Sequence, residues 1–173
     1  MNVETLSVLL FAGGLICGAA VAAEKDAESA QTVGKQGWIK QAAQGGLAEV
    51  EMGKLAAQKA RNPEVKKYGQ RMVEDHGKVN DQLMRIAAEK GVTPPSQPAP
   101  KQMAKKKELM AASEAEFDKK YMQAQVRDHQ EMIALFEQGA KSKDRKLQEF
   151  AKKTLPNLKE HLQMARNIQS KIK

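Results

Sequence analysis

The chain has 173 residues, a formal net charge of +8 and a single cysteine, and only 4% of its residues are aromatic. This length fits one domain with a substantial core, and the abundance of Ala, Lys, Gln, Glu and Met is typical of helices. Nucleic acid is not an expected partner, because the sequence has no groove-reading motif and no aromatic platform for bases. The positive charge instead favours an anionic surface of the cell envelope, such as phospholipid headgroups.

Residues 1–23 have the features of a secretory signal peptide. Leu6–Ala22 is almost entirely apolar, and the small residues Val21-Ala22-Ala23 form a cleavage site. A retained membrane anchor is the alternative, but three glycines make this run a poor span of marginal length. We therefore predict cleavage and export. The mature chain would lack Cys17, so a bound metal would have to be held by nitrogen and oxygen ligands.

Composition divides the remainder into a leader, a domain and a linker inside that domain. Residues 24–36 are polar and unpatterned, so we predict a flexible leader. Residues 37–173 contain four amphipathic segments and are predicted to form one all-α domain. A linker at 91–113 separates the second and third helices, and its Pro-rich first ten residues cover about 31 Å when extended. Because a helix of about 26 residues is about 39 Å long, this linker is expected to cross the length of a bundle.

The first helix of the domain is predicted from about Trp38 to Arg61, where small and apolar residues alternate at spacings of three and four. Gly45, Gly46 and Gly53 occur in this region and lower its helix propensity. Such glycines are expected where a neighbouring helix approaches closely. Glu49 lies beside the apolar stripe and is predicted to point inward.

The second helix is predicted to begin at Asn62 and Pro63, because Asn62 can cap the free amide groups and Pro63 fits the first turn. Its apolar face is made of Val65, Met72, Val79, Leu83 and Ile86. His76 lies in the middle of this face. A buried polar ring without a partner is costly, so His76 indicates a polar site inside the bundle.

The third and fourth helices each carry another histidine within an apolar face. The third is predicted to begin at Ser113–Glu116, a capping-box sequence, with His129 central in its stripe. The fourth follows a turn at Lys141–Lys143 and places His161 on its apolar side. These patterns predict a second and a third polar group within the core.

Several short motifs form a specific set when they are taken together. They are Gly45-Gly46 with Glu49-Val50, Asn62-Pro63-x-Val65-Lys66, Met72-Val73-x-Asp75-His76, Phe117-Asp118-x-x-Tyr121-Met122, Asp128-His129 and Thr154-Leu155-Pro156-x-Leu158-x-x-His161-Leu162. Over roughly residues 36–170 this set resembles a bacterial envelope family, the domain-of-unknown-function family 4142. The resemblance implies a ferritin-like four-helix bundle located in the periplasm or at the outer membrane. It implies no reaction.

Counting residues from the turns predicts the level of each inward polar group. At 1.5 Å per residue, Glu49, His76 and His129 lie roughly 20 Å from their turns, near the middle of the bundle. His161 is predicted about 7–9 Å away from that level. Together the four residues can form one site of nitrogen and oxygen ligands for a transition-metal ion, namely Zn, Fe, Mn, Cu or Ni.

This site would differ from the carboxylate-rich sites of di-iron bundles. Those bundles use Glu-x-x-His on two helices, whereas Val73, Val126 and Leu158 stand three residues before the histidines here. The alternative to a metal site is that Glu49 and the histidines satisfy one another and the polar layer fixes the register of the helices.

Two classes of function follow from these alternatives. The first is a metal-binding or redox ferritin-like protein of the envelope, and the second is a non-enzymatic stress or interaction module with a purely structural polar layer. A hydrolytic enzyme is not expected, because the sequence lacks a nucleophile elbow, zinc-protease spacing and a Gly-rich phosphate loop. No residue is assigned a catalytic role.

Overall fold

The computed structural model describes the backbone of residues 17–172 and the side chains of residues 34–172. The described chain is all-helical, which confirms the predicted class, and residues from Gln36 onward form a compact unit. The helices are α1 (Cys17–Lys59), α2 (Pro63–Glu89), α3 (Pro100–Ala111), α4 (Glu114–Gly139) and α5 (Arg145–Lys171).

The N-terminal predictions fall largely on the part of the chain that is not described. Residues 1–16 of the predicted signal peptide lie outside the described residues, so its cleavage stays a prediction. α1 begins at Cys17 and continues through 24–36, where a flexible leader is predicted. That stretch has no apolar stripe but is rich in Ala, Glu, Lys and Gln, which have high helix propensity. Among the described residues, no helix combines the length and the apolar character that a membrane crossing requires.

Contacts at the helix ends establish the directions of the long helices. At one end, the backbone amides of Arg61 and Asn62 donate to the Asp118 carboxylate at 3.3 and 2.7 Å, so the α1–α2 turn lies beside the start of α4. At the other end, Lys90 follows α2 and pairs with Asp144, the N-cap residue of α5. α2 and α4 therefore begin at the same end of the bundle and run parallel.

The connection between α2 and α4 consequently returns along the length of the bundle. It contains α3, a helix that the sequence pattern does not predict. α3 is held against α1, because Lys59 Nζ donates to the Met110 carbonyl at 2.7 Å and Lys106 pairs with Glu51 at 2.6 Å. Leu109 is buried. With 12 residues and an apolar face this small, α3 depends on such tertiary contacts rather than on its own periodicity.

α1 and α2 approach each other closely at two glycines. A Cβ atom on Gly53 would lie 2.7 Å from the Gly69 carbonyl oxygen, and one on Gly69 would lie 2.8 Å from the Gly53 carbonyl oxygen. These clashes involve backbone atoms, so neither could be relieved without moving a helix. The close approach predicted at Gly53 is confirmed, and Gly45 and Gly46 similarly face side chains of neighbouring helices.

The core consists of two apolar clusters, and the polar residues lie between them. On α2, Met72 belongs to one cluster and Leu83 to the other, and His76 lies between these two residues. The same order places His129 on α4 and His161 on α5 between the clusters. The apolar packing on both sides therefore positions a polar layer in the middle of the bundle.

Candidate metal site

Three histidines from three helices meet in this polar layer. His76 comes from α2, His129 from α4 and His161 from α5, and each side chain is 1–2% exposed. One ligand nitrogen from each ring lies within 4.8 Å of the other two. The ring centroids are 5.4–5.5 Å apart. The structure thus brings together the three histidines that the sequence singles out.

His161 is closer to the other two histidines than residue counting predicts. A residue count from the α4–α5 turn gives the distance of His161 along α5. It gives neither the tilt of α5 nor its displacement along the bundle relative to the neighbouring helices. α5 reaches the far end of the bundle, where Lys171 pairs with Glu64 at 3.1 Å. The predicted offset is therefore wrong, and His161 is a full member of the cluster.

The proton on His129 is located by its backbone contact. Nδ1 lies 3.0 Å from the Gln125 carbonyl oxygen, and since a carbonyl can only accept, Nδ1 donates. The lone pair of the neutral ring is then on Nε2, 3.4 Å from Nε2 of His76. Burial lowers the pKa of His129 to about 3; the nearby His161 adds to this effect and the Gln125 hydrogen bond opposes it. Burial, followed by the other two histidines, lowers the pKa of His76 well below its usual value.

His161 is oriented by a carboxylate. Its Nε2 lies 2.9 Å from Asp75 Oδ2 and donates there, which leaves the lone pair on Nδ1. Nδ1 is buried and has no hydrogen-bond partner among the described residues. Burial lowers the pKa of His161 although the Asp75 contact raises it, so the neutral ring is favoured. A carboxylate behind a histidine commonly fixes the tautomer and the orientation of a metal ligand.

Arg71 in turn positions Asp75. Its Nε donates to Asp75 Oδ2 at 3.1 Å, and its Nη2 donates to Glu160 at 2.8 Å. Burial opposes ionisation of Asp75, but the hydrogen bonds from His161 and Arg71 outweigh it and hold the pKa of Asp75 below its ordinary value. The ionised carboxylate is therefore available to accept from His161 at neutral pH.

Glu49 does not belong to the histidine cluster. It is 2% exposed, and its carboxylate accepts a hydrogen bond of 2.7 Å from Gln125 Nε2. Burial, followed by the negative charge of Asp128, raises the pKa of Glu49 to about 8, against the lowering effects of Gln125 and Lys105. Counting along α1 gives its level in the bundle but not the helix that it faces. The hydrogen bond from Gln125 shows that Glu49 faces α4.

Asp75 and Gln125 are the site residues that sequence reasoning misses. Asp75 is adjacent to His76, but its partner is His161, which is 86 residues away. Successive residues on a helix point about 100° apart, so neighbours in sequence face different helices. The Asp75-His76 pair within a family motif is the only sequence signal for this carboxylate.

Comparison with known proteins places the chain in a family. No curated protein and no solved structure matches it significantly. A family described as Domain of unknown function (DUF4142) matches residues 20–168, which is most of the 173-residue chain. The family suggested by the motifs is thereby confirmed, and the chain belongs to the DUF4142 family.

Proposed function

We propose that this protein binds one transition-metal ion through His76, His129 and His161. The observation that carries the proposal is the buried Nδ1 of His161, which has no hydrogen-bond partner among the described residues. This ring belongs to a group of three neutral histidines. Metal ligation requires neutral imidazole, and burial favours that state in all three residues. Glu49 is left out of the proposed ligand set.

The spacing of the nitrogens suits a tetrahedral ion. Zinc–nitrogen bonds are about 2.0–2.1 Å long, so two nitrogens on a tetrahedral zinc ion are about 3.3–3.4 Å apart. The Nε2 atoms of His76 and His129 are separated by 3.4 Å. A third nitrogen would come from His161, for which Asp75 selects Nδ1. The fourth position would be left to water.

The donor set indicates the class of metal. Three imidazoles suit Zn²⁺, Cu²⁺, Ni²⁺ or Fe²⁺, whereas Mn²⁺ prefers oxygen ligands. The histidine side chains are at most 2% exposed. This burial favours a structural ion, which stabilises the bundle, over a catalytic ion, which has to be accessible to a substrate.

The competing function is an interaction module in which the polar layer is only structural. In that case His76 Nε2–H would donate to His129 Nε2 across 3.4 Å, which is long for a hydrogen bond. His161 Nδ1 would still lack a partner, at a cost of about 1–3 kcal/mol. A metal ion would satisfy all three nitrogens, which is why we favour the metal-binding function.

The architecture and the location belong to the same proposal. The four long helices and the crossover that contains α3 support a ferritin-like four-helix bundle. The apolar Leu6–Ala22 run supports export to the periplasm or the outer membrane. An anionic envelope surface remains the expected partner of this basic chain.

The test is metal stoichiometry in the purified protein. Metal-free wild-type protein is incubated with Zn²⁺, Cu²⁺, Ni²⁺ or Mn²⁺ and then buffer-exchanged. It is expected to retain one ion of a histidine-preferring metal. His129→Gln should retain none of that metal. At a free-metal concentration a thousand times Kd, the ion should stabilise wild type by about 4 kcal/mol in urea unfolding.

Thr154→Val is a matched control for this test. Thr154 is buried on α5, seven residues before His161, and its hydroxyl donates to the Phe150 carbonyl at 2.8 Å. The variant disturbs a buried polar contact on the same helix face but should keep the bound ion. Sub-stoichiometric metal in wild type, or full metal in His129→Gln, would leave only the structural function.

Asp75→Asn is expected to weaken metal binding without removing a ligand. An amide can donate to His161 Nε2, which shifts the ring proton to Nδ1 and removes the proposed lone pair. Loss of such a supporting contact typically costs 10–100-fold in metal affinity. Glu160→Gln is the control, since Glu160 also accepts a hydrogen bond from Arg71, whereas the hydrogen bond from His161 goes to Asp75. Competition titration against a chelator gives the affinity, and ¹⁵N NMR reports the tautomer. Equal affinities in the two variants would contradict the assigned role of Asp75.

A further inference from the structure

The outward side of α3 is largely apolar although it faces solvent. Among the described residues three large apolar side chains are exposed, and two of them, Met103 and Met110, belong to α3. They are 44% and 55% exposed, and a spacing of seven residues puts them on the same side of the helix. The other exposed residues on this side are Pro100, Ala104, Lys107 and Ala111. An exposed apolar surface with a single charged residue is a feature of docking sites.

The opposite side of α3 packs on the bundle. Leu109 is buried, Lys105 pairs with Asp128 on α4, and Lys106 pairs with Glu51 on α1 at 2.6 Å. These contacts hold α3 in place and turn its apolar outward side away from the core. A helix that is already folded and fixed loses little conformational entropy when a partner binds to it.

Cations without carboxylate partners lie around this outward side. The ion pairs that α3 forms with described residues use its other lysines, so Lys101 and Lys107 have no carboxylate partner there. At the end of α3, Lys59 of α1 donates to the Met110 carbonyl oxygen rather than to a carboxylate. Glu108 is the one carboxylate on α3. The excess of positive charge beside apolar side chains favours an anionic, partly apolar partner.

We propose that the face of α3 formed by Met103, Lys107 and Met110 docks on an anionic phospholipid bilayer. A helix in the plane of a membrane interface buries its apolar side chains among the headgroups, while its lysines reach the anionic lipids. The unbranched side chain of Met adapts to such an irregular surface. The assignment rests on the anionic envelope surface proposed above as partner, and it names the part of the chain that makes the contact.

A second copy of the chain fits this face less well. If two α3 faces packed on each other, the unpaired lysines of both copies would be brought together. Like charges across an interface are unfavourable, whereas lipid phosphates would neutralise the same lysines.

The test uses the exposed methionine sulfurs of the full-length protein as reporters of contact. Hydrogen peroxide transfers one oxygen to an accessible sulfur and leaves as water, and mass spectrometry gives the rate at each methionine. With phosphatidylglycerol vesicles, oxidation of Met103 and Met110 should slow several-fold. Met84, which is 43% exposed on α2, should keep its rate and serves as a reference within the same molecule. Phosphatidylcholine vesicles should give much less protection.

Two lysine variants distinguish this face from the overall positive charge. Lys107→Gln should lower the ratio of protected to reactive Met103 by about fivefold, because one cation close to an anionic membrane is lost. Lys141→Gln removes the same charge from the α4–α5 turn and should leave this ratio unchanged. Both lysines are exposed, so neither change should disturb the fold.

Three results would overturn the proposal. Equal protection of Met84, or equal effects of the two lysine variants, would place the membrane contact elsewhere. Co-sedimentation with anionic vesicles while Met103 and Met110 stay reactive would keep the anionic partner but exclude the α3 face. A chain that shows no preference for anionic over phosphatidylcholine vesicles would make the anionic partner itself wrong.

Protection that appears without vesicles and rises with protein concentration would also overturn the proposal, since it would assign this face to a second copy of the chain. Sedimentation velocity would then show a dimer that is lost in Met103→Gln. None of these results bears on the histidine site, which is tested by metal retention.

Discussion

Metal-free protein is expected to be most stable near pH 6.5 and to lose stability steeply below it. The three cluster histidines have lowered pKa values in the fold, to about 3 for His129, whereas an unfolded histidine titrates near 6.5. Below pH 6.5 the unfolded chain therefore binds more protons than the fold, and stability falls with the pH. His129 alone accounts for a loss on the order of 5 kcal/mol between pH 6.5 and 3.

Glu49 acts in the opposite direction. Its pKa is about 8 in the fold and 4.5 in the reference state, so between these values the fold binds the extra proton. This contribution is fully present below pH 4.5 and is lost as the pH rises through 8. The extra proton on folded Glu49 offsets one of the three protons that the histidines bind only in the unfolded chain. The raised pKa of Asp128 acts in the same direction as that of Glu49. The net slope below pH 6.5 should be one to two protons, about 1.4–2.7 kcal/mol per pH unit.

Urea unfolding from pH 5.0 to 8.0 in the presence of a chelator measures this profile. His129→Gln should reduce the acid slope by about 1.4 kcal/mol per pH unit, because one titrating ring is removed. Glu49→Gln should remove the decline above pH 6.5. If NMR found the pKa of His129 near 6.5 in the folded protein, the buried neutral cluster would be wrong.

Substitution of Gly53 by alanine is expected to destabilise the bundle by about 1–3 kcal/mol, which is typical of overpacking in a tight core. The added Cβ atom would lie 2.7 Å from the Gly69 carbonyl oxygen, a backbone atom of α2, which is also held against α5 by the Arg71 and Asp75 hydrogen bonds. α1 and α2 would have to separate, and the contacts around the approach would be lost. Chemical unfolding followed by circular dichroism gives the change in stability.

Gly77→Ala is the matched control and should have the opposite sign. Gly77 lies inside α2, and a Cβ atom there would meet nothing within 4 Å. Alanine has the higher helix propensity, so a gain of about 0.5–1 kcal/mol is expected. Similar effects of the two substitutions would show that α1 and α2 do not approach as closely at Gly53 as described.

The sequence by itself determined the local elements of this protein and which face of each helix is apolar. The start of α2 follows from Asn62, whose side chain accepts from the Glu64 amide at 2.8 Å, as a capping residue should. The apolar stripes placed His76 and His129 inward, and both are buried. These features depend on residues within a few turns of one another, so a single sequence contains the information.

Only the tertiary structure decided which inward groups meet. Residue counting gives Glu49 the same depth as His76 and His129 and places His161 off that level, yet Glu49 faces Gln125, while His161 joins the cluster. α3 forms inside the predicted linker because contacts with α1 hold it there. The tilt and rotation of a helix are set by side chains that pack from distant parts of the chain, and periodicity contains no information about them. The pairing of Asp75 with His161 is of this kind, since two helices far apart in sequence must pack before it exists.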